Sequence, residues 1–236
     1  MRHLKLLLIA AALSLFIALP AGAQMYSSYA YGDNAIRFRV GLFTPSGDSQ
    51  YWHEAEADFT GGAKDLKDAF GGVDYLRRLN PRLSLLVTGS GFEGKTTMAY
   101  RDYTDTAGHD IAHTTRLDLA TFGIGLVAFL APRNAPIVPY IGGGGAFYSY
   151  RLRENGDFID FTSSTPYIFH DRFTADGTTD GYFYLAGLDV PLSPTWSVFA
   201  EARWHKASDQ LGGDFGGFGK IDLSGRQVAA GMSWTF

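Results

Sequence analysis

The last nine residues of the chain, V-A-A-G-M-S-W-T-F from Val228 to Phe236, restrict the fold more than any other stretch. Successive side chains of an extended chain point to opposite faces. Val228, Ala230, Met232, Trp234 and Phe236 therefore share one face, and Ala229, Gly231, Ser233 and Thr235 share the other. This is a strand with one apolar and one small, polar face. At the edge of an ordinary sheet, a bare aromatic strand of this kind is a template for aggregation. A closed barrel whose outer wall is solvated by lipid has no such edge.

The composition agrees with one β-rich domain. Of 236 residues, 29 are glycine, 15 % are aromatic and 19 % are charged. There is no cysteine, which excludes disulfides, thiolate metal ligands and thiol nucleophiles. The mean hydropathy is near zero, as in many soluble proteins. A membrane barrel shows the same average, because only alternate residues of each strand meet lipid.

Residues 1–23 read as a secretory signal peptide. Arg2 and Lys5 precede an apolar run from Leu6 to Leu19, followed by Pro20 and the small-residue site Ala21-Gly22-Ala23, with cleavage expected after Ala23. The run is shorter than the roughly 20 residues of a bilayer-spanning helix. Removing Arg2 and Lys5 from the 20 Lys and Arg residues, with all 24 acids kept, moves the formal net charge from −4 to −6. No long basic run remains, which argues against nucleic acid as a partner. No second apolar stretch approaches the length of a spanning helix.

Residues 24–34 are a polar, Tyr-rich lead-in. The first clear strand is Ala35–Pro45, with Ile36, Phe38, Val40 and Leu42 on one face and Arg37, Arg39 and Gly41 on the other. A long loop, 46–68, comes next, with a short helix expected around Ala63–Ala69. A second strand covers about Phe70–Leu79, and Asn80-Pro81 turns the chain. Strands are then predicted over Arg82–Tyr103, Ile111–Leu130, Ile137–Arg153, Gly181–Leu192 and from Trp196 through His205. A Gly-rich loop, Ser208–Gly219, leads to the final strand. The faces of the second and fifth strands are ambiguous, and their registers stay open.

The count is eight strands, and the connections alternate. Those after strands two, four and six are short, and the others are mostly long. An even strand number with short turns at one end and long loops at the other describes a bacterial outer-membrane barrel. Aromatics gather near the strand ends, as interfacial girdles do: Tyr140, Trp196, Trp234 and Phe236 at the short-turn end, and Tyr148, Tyr182 and Trp204 toward the other.

With that topology the chain resembles the small eight-stranded outer-membrane β-barrels of the OmpA/OmpX type. The resemblance is carried by Leu79-Asn80-Pro81-Arg82-Leu83, Pro139-Tyr140-Ile141-Gly142-Gly143-Gly144, Phe199-Ala200-Glu201-Ala202-Arg203-Trp204, Ile221-Asp222-Leu223-Ser224-Gly225 and the closing Ser233-Trp234-Thr235-Phe236. It implies that Val228, Ala230, Met232, Trp234 and Phe236 form a signal for the outer-membrane insertion machinery and that the same strand closes the barrel. It also implies that the peptidoglycan-binding domain following the barrel of OmpA is absent.

Several motifs bear on chemistry. Gly89-Ser90-Gly91-Phe92-Glu93-Gly94-Lys95-Thr96 fits the phosphate-binding loop pattern, which works only where a helix succeeds the loop. The next residues, Thr97–Tyr103, are instead β-prone. The run Gly142–Gly145 reads as small residues that let a crowded wall approach other side chains. His109 and His113 are four apart, which spreads them roughly 13 Å along a strand, and loop histidines are expected. His205, Ser208 and Glu201 invite comparison with lipid A deacylases, which carry His and Ser two apart on one face. Here the spacing is three, on opposite faces.

Arg37, Arg39, Asp189, Glu201 and Arg203 form the main constellation. Outward faces must be apolar, so these five charges point into the lumen at similar depth. An eight-stranded lumen is just wide enough for side chains to fill it, and charges inside must pair or hold water. A structural ion-pair plug is expected ahead of a gate, with Arg39 or Arg37 pairing with Glu201. No catalytic residue, metal site or cofactor is expected.

The reading is an all-β, eight-stranded, antiparallel up-and-down transmembrane barrel over 35–236, in the outer membrane of a Gram-negative-type bacterium. A monomer with a structural or surface-interaction role is expected. A narrow porin for small or hydrophobic solutes is the alternative, ahead of a lipid A-modifying enzyme. The expected partners are outer-membrane lipid, the insertion machinery during assembly and an extracellular partner at loops 46–68 and 154–180. Within 154–180, strands five and six are expected to continue as a hairpin turning at Ser163–Pro166.

Overall fold

The computed structural model describes residues 32–162 and 165–236. The expected signal peptide 1–23 and most of the lead-in 24–34 lie outside the described residues, as do Ser163 and Ser164 of the expected turn. The strands are β1 (Asn34–Pro45), β2 (Asp68–Asn80), β3 (Leu83–Thr104), β4 (Asp110–Phe129), β5 (Val138–Asp160), β6 (Tyr167–Pro191), β7 (Trp196–Gln210), β8 (Lys220–Asp222) and β9 (Gly225–Thr235). One α-helix, α1 (Gln50–Asp58), lies between β1 and β2.

Eight of the strands form a closed antiparallel ring. Chain neighbours pair from β1 to β7, and β9 joins β7 to β1. β8 is an additional short strand that pairs only with the end of β7, at Ser208–Gln210. The seam is held to its last residue: the Asn34 N–H donates to the Phe236 carbonyl at 3.1 Å, and the Phe236 N–H donates to the Asn34 carbonyl at 2.9 Å. Within the closed ring no strand has an unpaired edge, which is what lipid requires of a spanning sheet.

The register sets the width. Following paired residues from Ser197 through Ser233, Arg37, Asp74, Thr88, Gly123, Ala146 and Gly181 returns to β7 at Ala207, ten residues further along. Such a stagger tilts the strands by about 40° and leaves an interior that side chains can fill.

Alternation then divides the wall. Phe38, Val40 and Leu42 of β1, Ile124 and Leu126 of β4, Phe147 of β5, Tyr184 and Leu188 of β6, and Val228 and Met232 of β9 all face outward and are exposed. They make an apolar belt. At its short-turn edge the Trp196 and Trp234 rings stack at 6.4 Å and Phe236 lies 4.8 Å from Trp234. Toward the other edge Tyr184 stacks on Trp204 at 5.3 Å.

Some expectations need correction. Tyr140 and Tyr148 are not girdle residues; both point inward, with 1 % and 0 % of their surface exposed. Their phase is set by β5, where Val138 and Tyr140 are buried and Pro139 and Ile141 face out. The ring of Tyr140 lies against Gly187, where an added Cβ would meet it at 2.4 Å. The region 46–68 holds α1, and the helix expected around Ala63–Ala69 is a single 3₁₀ turn, Ala63–Leu66. Little of 154–180 is loop. β5 and β6 pair without interruption out to Asp160 and Tyr167, so the expected hairpin extension is present. β7 likewise runs to Gln210, into the segment expected to be loop.

A ring of this kind resists detergent. Unboiled protein in dodecyl sulfate is expected to migrate ahead of boiled protein on a gel, and a single band position for both would contradict the closed ring.

Candidate functional site

The inward faces of three strands, β1, β2 and β7, meet in one buried ionic layer. On β1, the register that turns Phe38 and Val40 outward turns Arg39 inward; on β2, Val73 out means Asp74 in; on β7, Ala200 and Ala202 out means Glu201 and Arg203 in. Arg39, Asp74, Glu201 and Arg203 retain 2 %, 1 %, 5 % and 1 % of their exposed surface. Asp74 is the hub. Its Oδ1 accepts from Arg39 Nε at 3.2 Å and its Oδ2 from Arg203 Nη2 at 3.1 Å. Arg203 also donates Nε to Glu201 Oε1 at 3.0 Å, and Glu201 Oε2 accepts from the Tyr140 hydroxyl at 3.1 Å.

Thr88 of β3 locks the two guanidinium groups together. Its Oγ1 accepts from Arg39 Nη2 at 3.0 Å and from Arg203 Nη1 at 2.8 Å, and donates to Asp74 Oδ1 at 2.5 Å. That uses the full capacity of a hydroxyl, one donor and two acceptors. Gln227 of β9 takes Arg39 Nη1 at 2.7 Å. Six strands (β1, β2, β3, β5, β7 and β9) thus contribute to one network across the lumen. Nearer the short turns, Arg37 Nη2 lies 4.0 Å from Asp189 Oδ1, and its guanidinium sits 4.8 Å from both the Tyr140 and Phe199 rings. Three arginines face three carboxylates, so the layer is neutral.

Apolar side chains seal the layer toward the long-loop end. Phe70 and Phe183 cover Arg39 and Arg203 at 5.3 Å and 5.1 Å, and Phe43 meets Phe92 edge-on at 4.8 Å. Above them α1 inserts Tyr51, Trp52 and Ala55 into the mouth, and Trp52 is fully buried. The lid is tied down by Asp222 of β8. Its carbonyl accepts from Trp52 Nε1 at 3.4 Å, and its carboxylate accepts the Ser46 hydroxyl, the Asp48 N–H at 3.0 Å and the Ser224 N–H at 2.9 Å.

The glycine of the apparent phosphate-binding motif has its explanation here. Gly94 is inward on β3, and a Cβ at this position would lie 2.3 Å from the Leu66 carbonyl. It lets the Ala63–Leu66 turn rest on the wall. The whole segment 89–96 is strand, with no helix after it.

A second buried cluster joins the lid to the wall above the apolar belt. The Tyr51 hydroxyl donates to Glu154 Oε1 at 2.6 Å. His113 of β4 stacks on Phe158 at 4.9 Å and meets Phe59 edge-on at 4.6 Å. Its Nε2 is 3.9 Å from Glu154, yet neither ring nitrogen is hydrogen-bonded. Burial pushes its pKa down to about 4, so the ring is neutral at pH 7 and the pair is not an ion pair. Burial pushes the Glu154 carboxyl and the Tyr51 phenol upward. His113 is thus a wall residue and not the loop histidine expected; His109 is exposed in the β3–β4 turn.

All five expected lumen charges point inward, but their pairing differs from expectation. Among the described residues, Arg39 pairs with Asp74 and Arg37 lies nearest Asp189; the carboxylate of Glu201 is taken by Arg203, two residues away on its own strand. Asp74 and Thr88 were missed. Both were accessible to the rule applied elsewhere, since Val73 and Val87 flank them on the outward face. Of the five residues expected to close the barrel, Val228, Ala230, Met232 and Trp234 stand in register with Leu42, Val40, Phe38 and Ile36, and Phe236 exchanges backbone hydrogen bonds with Asn34. His205 faces inward with Nδ1 at 3.0 Å from the Tyr148 hydroxyl, whereas Ser208 is outward and exposed.

Comparison with protein-family models found no match, and comparison with curated proteins found none. Solved structures do match. The outer membrane protein OprG from Pseudomonas aeruginosa is 11 % identical over 89 % of this chain and 99 % of its own, with a TM-score of 0.54. Neisserial surface protein A is 12 % identical over 88 % of this chain and 99 % of its own, with a TM-score of 0.49. At such identities the likeness is one of fold. The chain has the fold of the small eight-stranded outer-membrane β-barrels of the OmpA/OmpX type.

The buried layer and the His113 cluster each make a measurable demand on stability. Asp74→Ala leaves Arg39 and Arg203 buried side by side without their shared carboxylate, and is expected to lower stability by about 3–5 kcal/mol. Urea titration of gel mobility measures it, and a change under about 1 kcal/mol would contradict the hub role. For His113, the unfolded ring titrates near the ordinary 6.5 and the folded one near about 4. The unfolded state therefore binds the extra proton, and stability falls as pH drops through that window, by up to about 3 kcal/mol. Glu154, with its pKa raised, acts oppositely, losing stability as pH rises above its ordinary 4.5. His113→Phe is expected to flatten the loss below pH 6.5 that the parent should show; identical pH profiles would refute this.

Proposed function

We propose that the protein is an exported outer-membrane barrel, delivered by a cleaved signal peptide 1–23, whose lumen is closed to solutes and whose role is structural or one of surface interaction, without catalysis. The observation that carries the reading is the Arg39–Asp74–Arg203–Glu201 layer. It crosses the lumen from β1 to β7 at near-zero exposure. Opening a path means separating charge-assisted hydrogen bonds where little water is available to replace them. The α1 lid covers the same path a second time.

In this orientation the short turns face the periplasm and the tall hairpins β3–β4 and β5–β6 stand outside the cell. Near their tips Tyr103, Phe161, Tyr167 and Ile168 are exposed, and the Tyr103 and Phe161 rings lie 5.1 Å apart. Exposed apolar clusters of this kind support a surface role. The inward His205 and outward Ser208 do not form a nucleophile–base pair, which weighs against a deacylase-like activity.

Planar bilayers test the reading. The reconstituted full-length mature chain is expected to give no stable unitary openings. Stable openings that vanish on denaturation would overturn the closed lumen and establish the narrow channel instead.

A further inference from the structure

Above the belt, the outer wall of β3, β4 and β5 carries a group of charges that the lumen does not explain. The register stacks them in rows. Glu93, Asp118 and Arg151 are paired neighbours in one row; Lys95, Arg116 and Arg153 form the next, further from the belt. One row beyond, Thr114 and Asn155 are joined on β6 by Arg172. Lys95, Thr114, Arg116, Arg153, Asn155 and Arg172 line an open groove of about 310 Å³.

The groove is unbalanced in charge. Four cations line it and no acid does. The two acids sit on its belt side: Glu93 pairs with Arg116, while Asp118 accepts Arg116 Nε at 3.0 Å and also pairs with Arg153. Lys95 has a cation, Arg116, directly opposite it, and Arg116 in turn faces Arg153. Like charges directly across a sheet repel. Among the described residues, Arg172 Nε donates to the neutral Asn155 Oδ1, at 3.1 Å. Arg153 Nε is buried with no hydrogen-bond partner among the described residues. All this stands on a chain whose net charge is negative.

Height selects the ligand. Arg116 and Arg153 each lie six residues beyond the last outward aromatic of their own strand, Phe122 and Phe147. At about 3.3 Å per residue and a tilt near 40°, that is roughly 15 Å above the belt. The groove also faces sideways, toward surrounding lipid. A phosphate at that level meets two forked guanidinium groups, the side chains best suited to hold it bidentately. We propose that this groove is a headgroup site for the phosphorylated glycolipid of the outer leaflet, binding its phosphate through Lys95, Arg116, Arg153 and Arg172. The inference rests on the outer-membrane orientation proposed above.

The test uses the full-length mature chain folded in phosphatidylcholine vesicles, with bisphosphorylated lipid A as probe and dephosphorylated lipid A as control. The parent is expected to retain the bisphosphorylated form preferentially. Lys95→Gln/Arg116→Gln/Arg153→Gln is expected to weaken retention roughly tenfold or more. Lys95→Glu/Arg172→Glu, which breaks no ion pair, is expected to do the same while keeping heat-modifiable migration. Lys206→Gln, on the outer wall of β7, is expected to change nothing. Equal retention by folded Lys95→Glu/Arg172→Glu and parent, or equal retention of dephosphorylated lipid A, would overturn the site. Binding of heparin oligosaccharide that the variants lose, with lipid A retention unchanged, would overturn it in favour of a soluble polyanion. A barrel that conducts ions yet retains lipid A in this pattern defeats only the closed lumen; a silent barrel without phosphate preference defeats only this site.

Discussion

Ring closure is the constraint on which everything else depends. A sheet in lipid cannot leave N–H and C=O groups unpaired, so the first and last strands must find each other. They do so through the whole seam, from Pro45 opposite Gly225 to the reciprocal bonds of Asn34 and Phe236. Once eight strands close with a stagger of ten residues, the interior is too narrow for bulk water and too polar to be left empty. The ionic layer is a consequence of that geometry. Arg39, Asp74, Glu201 and Arg203 are tolerable there because each has several partners, and the neutral total keeps any one charge from standing alone.

The same closure organises the two ends. At the short-turn end, aromatic girdle residues finish the outer wall while Arg37 packs between rings inside. At the other end the mouth would expose Phe43, Phe92, Met98 and Leu117, and α1 with the Ala63–Leu66 turn covers them. The lid therefore belongs to the hydrophobic core as much as to the loops. Its anchor, Asp222, lies 170 residues from Trp52 in the chain, so the contact depends on the barrel having closed.

Legibility in the sequence tracked the strength of alternation. Within the belt the outward positions of β1, β7 and β9 are apolar in turn, and each inward charge can be read by elimination. In β2 and β5 glycines sit on both faces and weaken the contrast, so Asp74 does not stand out and Tyr140 and Tyr148 read as girdle residues. Beyond the belt the outward face becomes polar and the contrast between the two faces weakens, so 154–180 reads both as a long loop and as the β5–β6 hairpin that it largely forms. The helix α1 carries only Tyr51, Trp52 and Ala55 as buried residues among charged ones, too short an apolar face to stand out.

By itself, then, the amino-acid pattern determined the class of fold, the outward face of the well-patterned strands and the inward direction of five charges. These are local consequences of a two-residue period against an apolar solvent. Which charge meets which was decided only by the tertiary structure. Partners in the lumen come from strands far apart in sequence, and their depth depends on the shear of the closed ring. Arg203 and Arg39 share Asp74 because that stagger brings three strands to one level, and no single stretch of chain encodes the stagger. The meaning of Gly94 was likewise settled by what leans on it, the turn before Leu66, rather than by the motif around it.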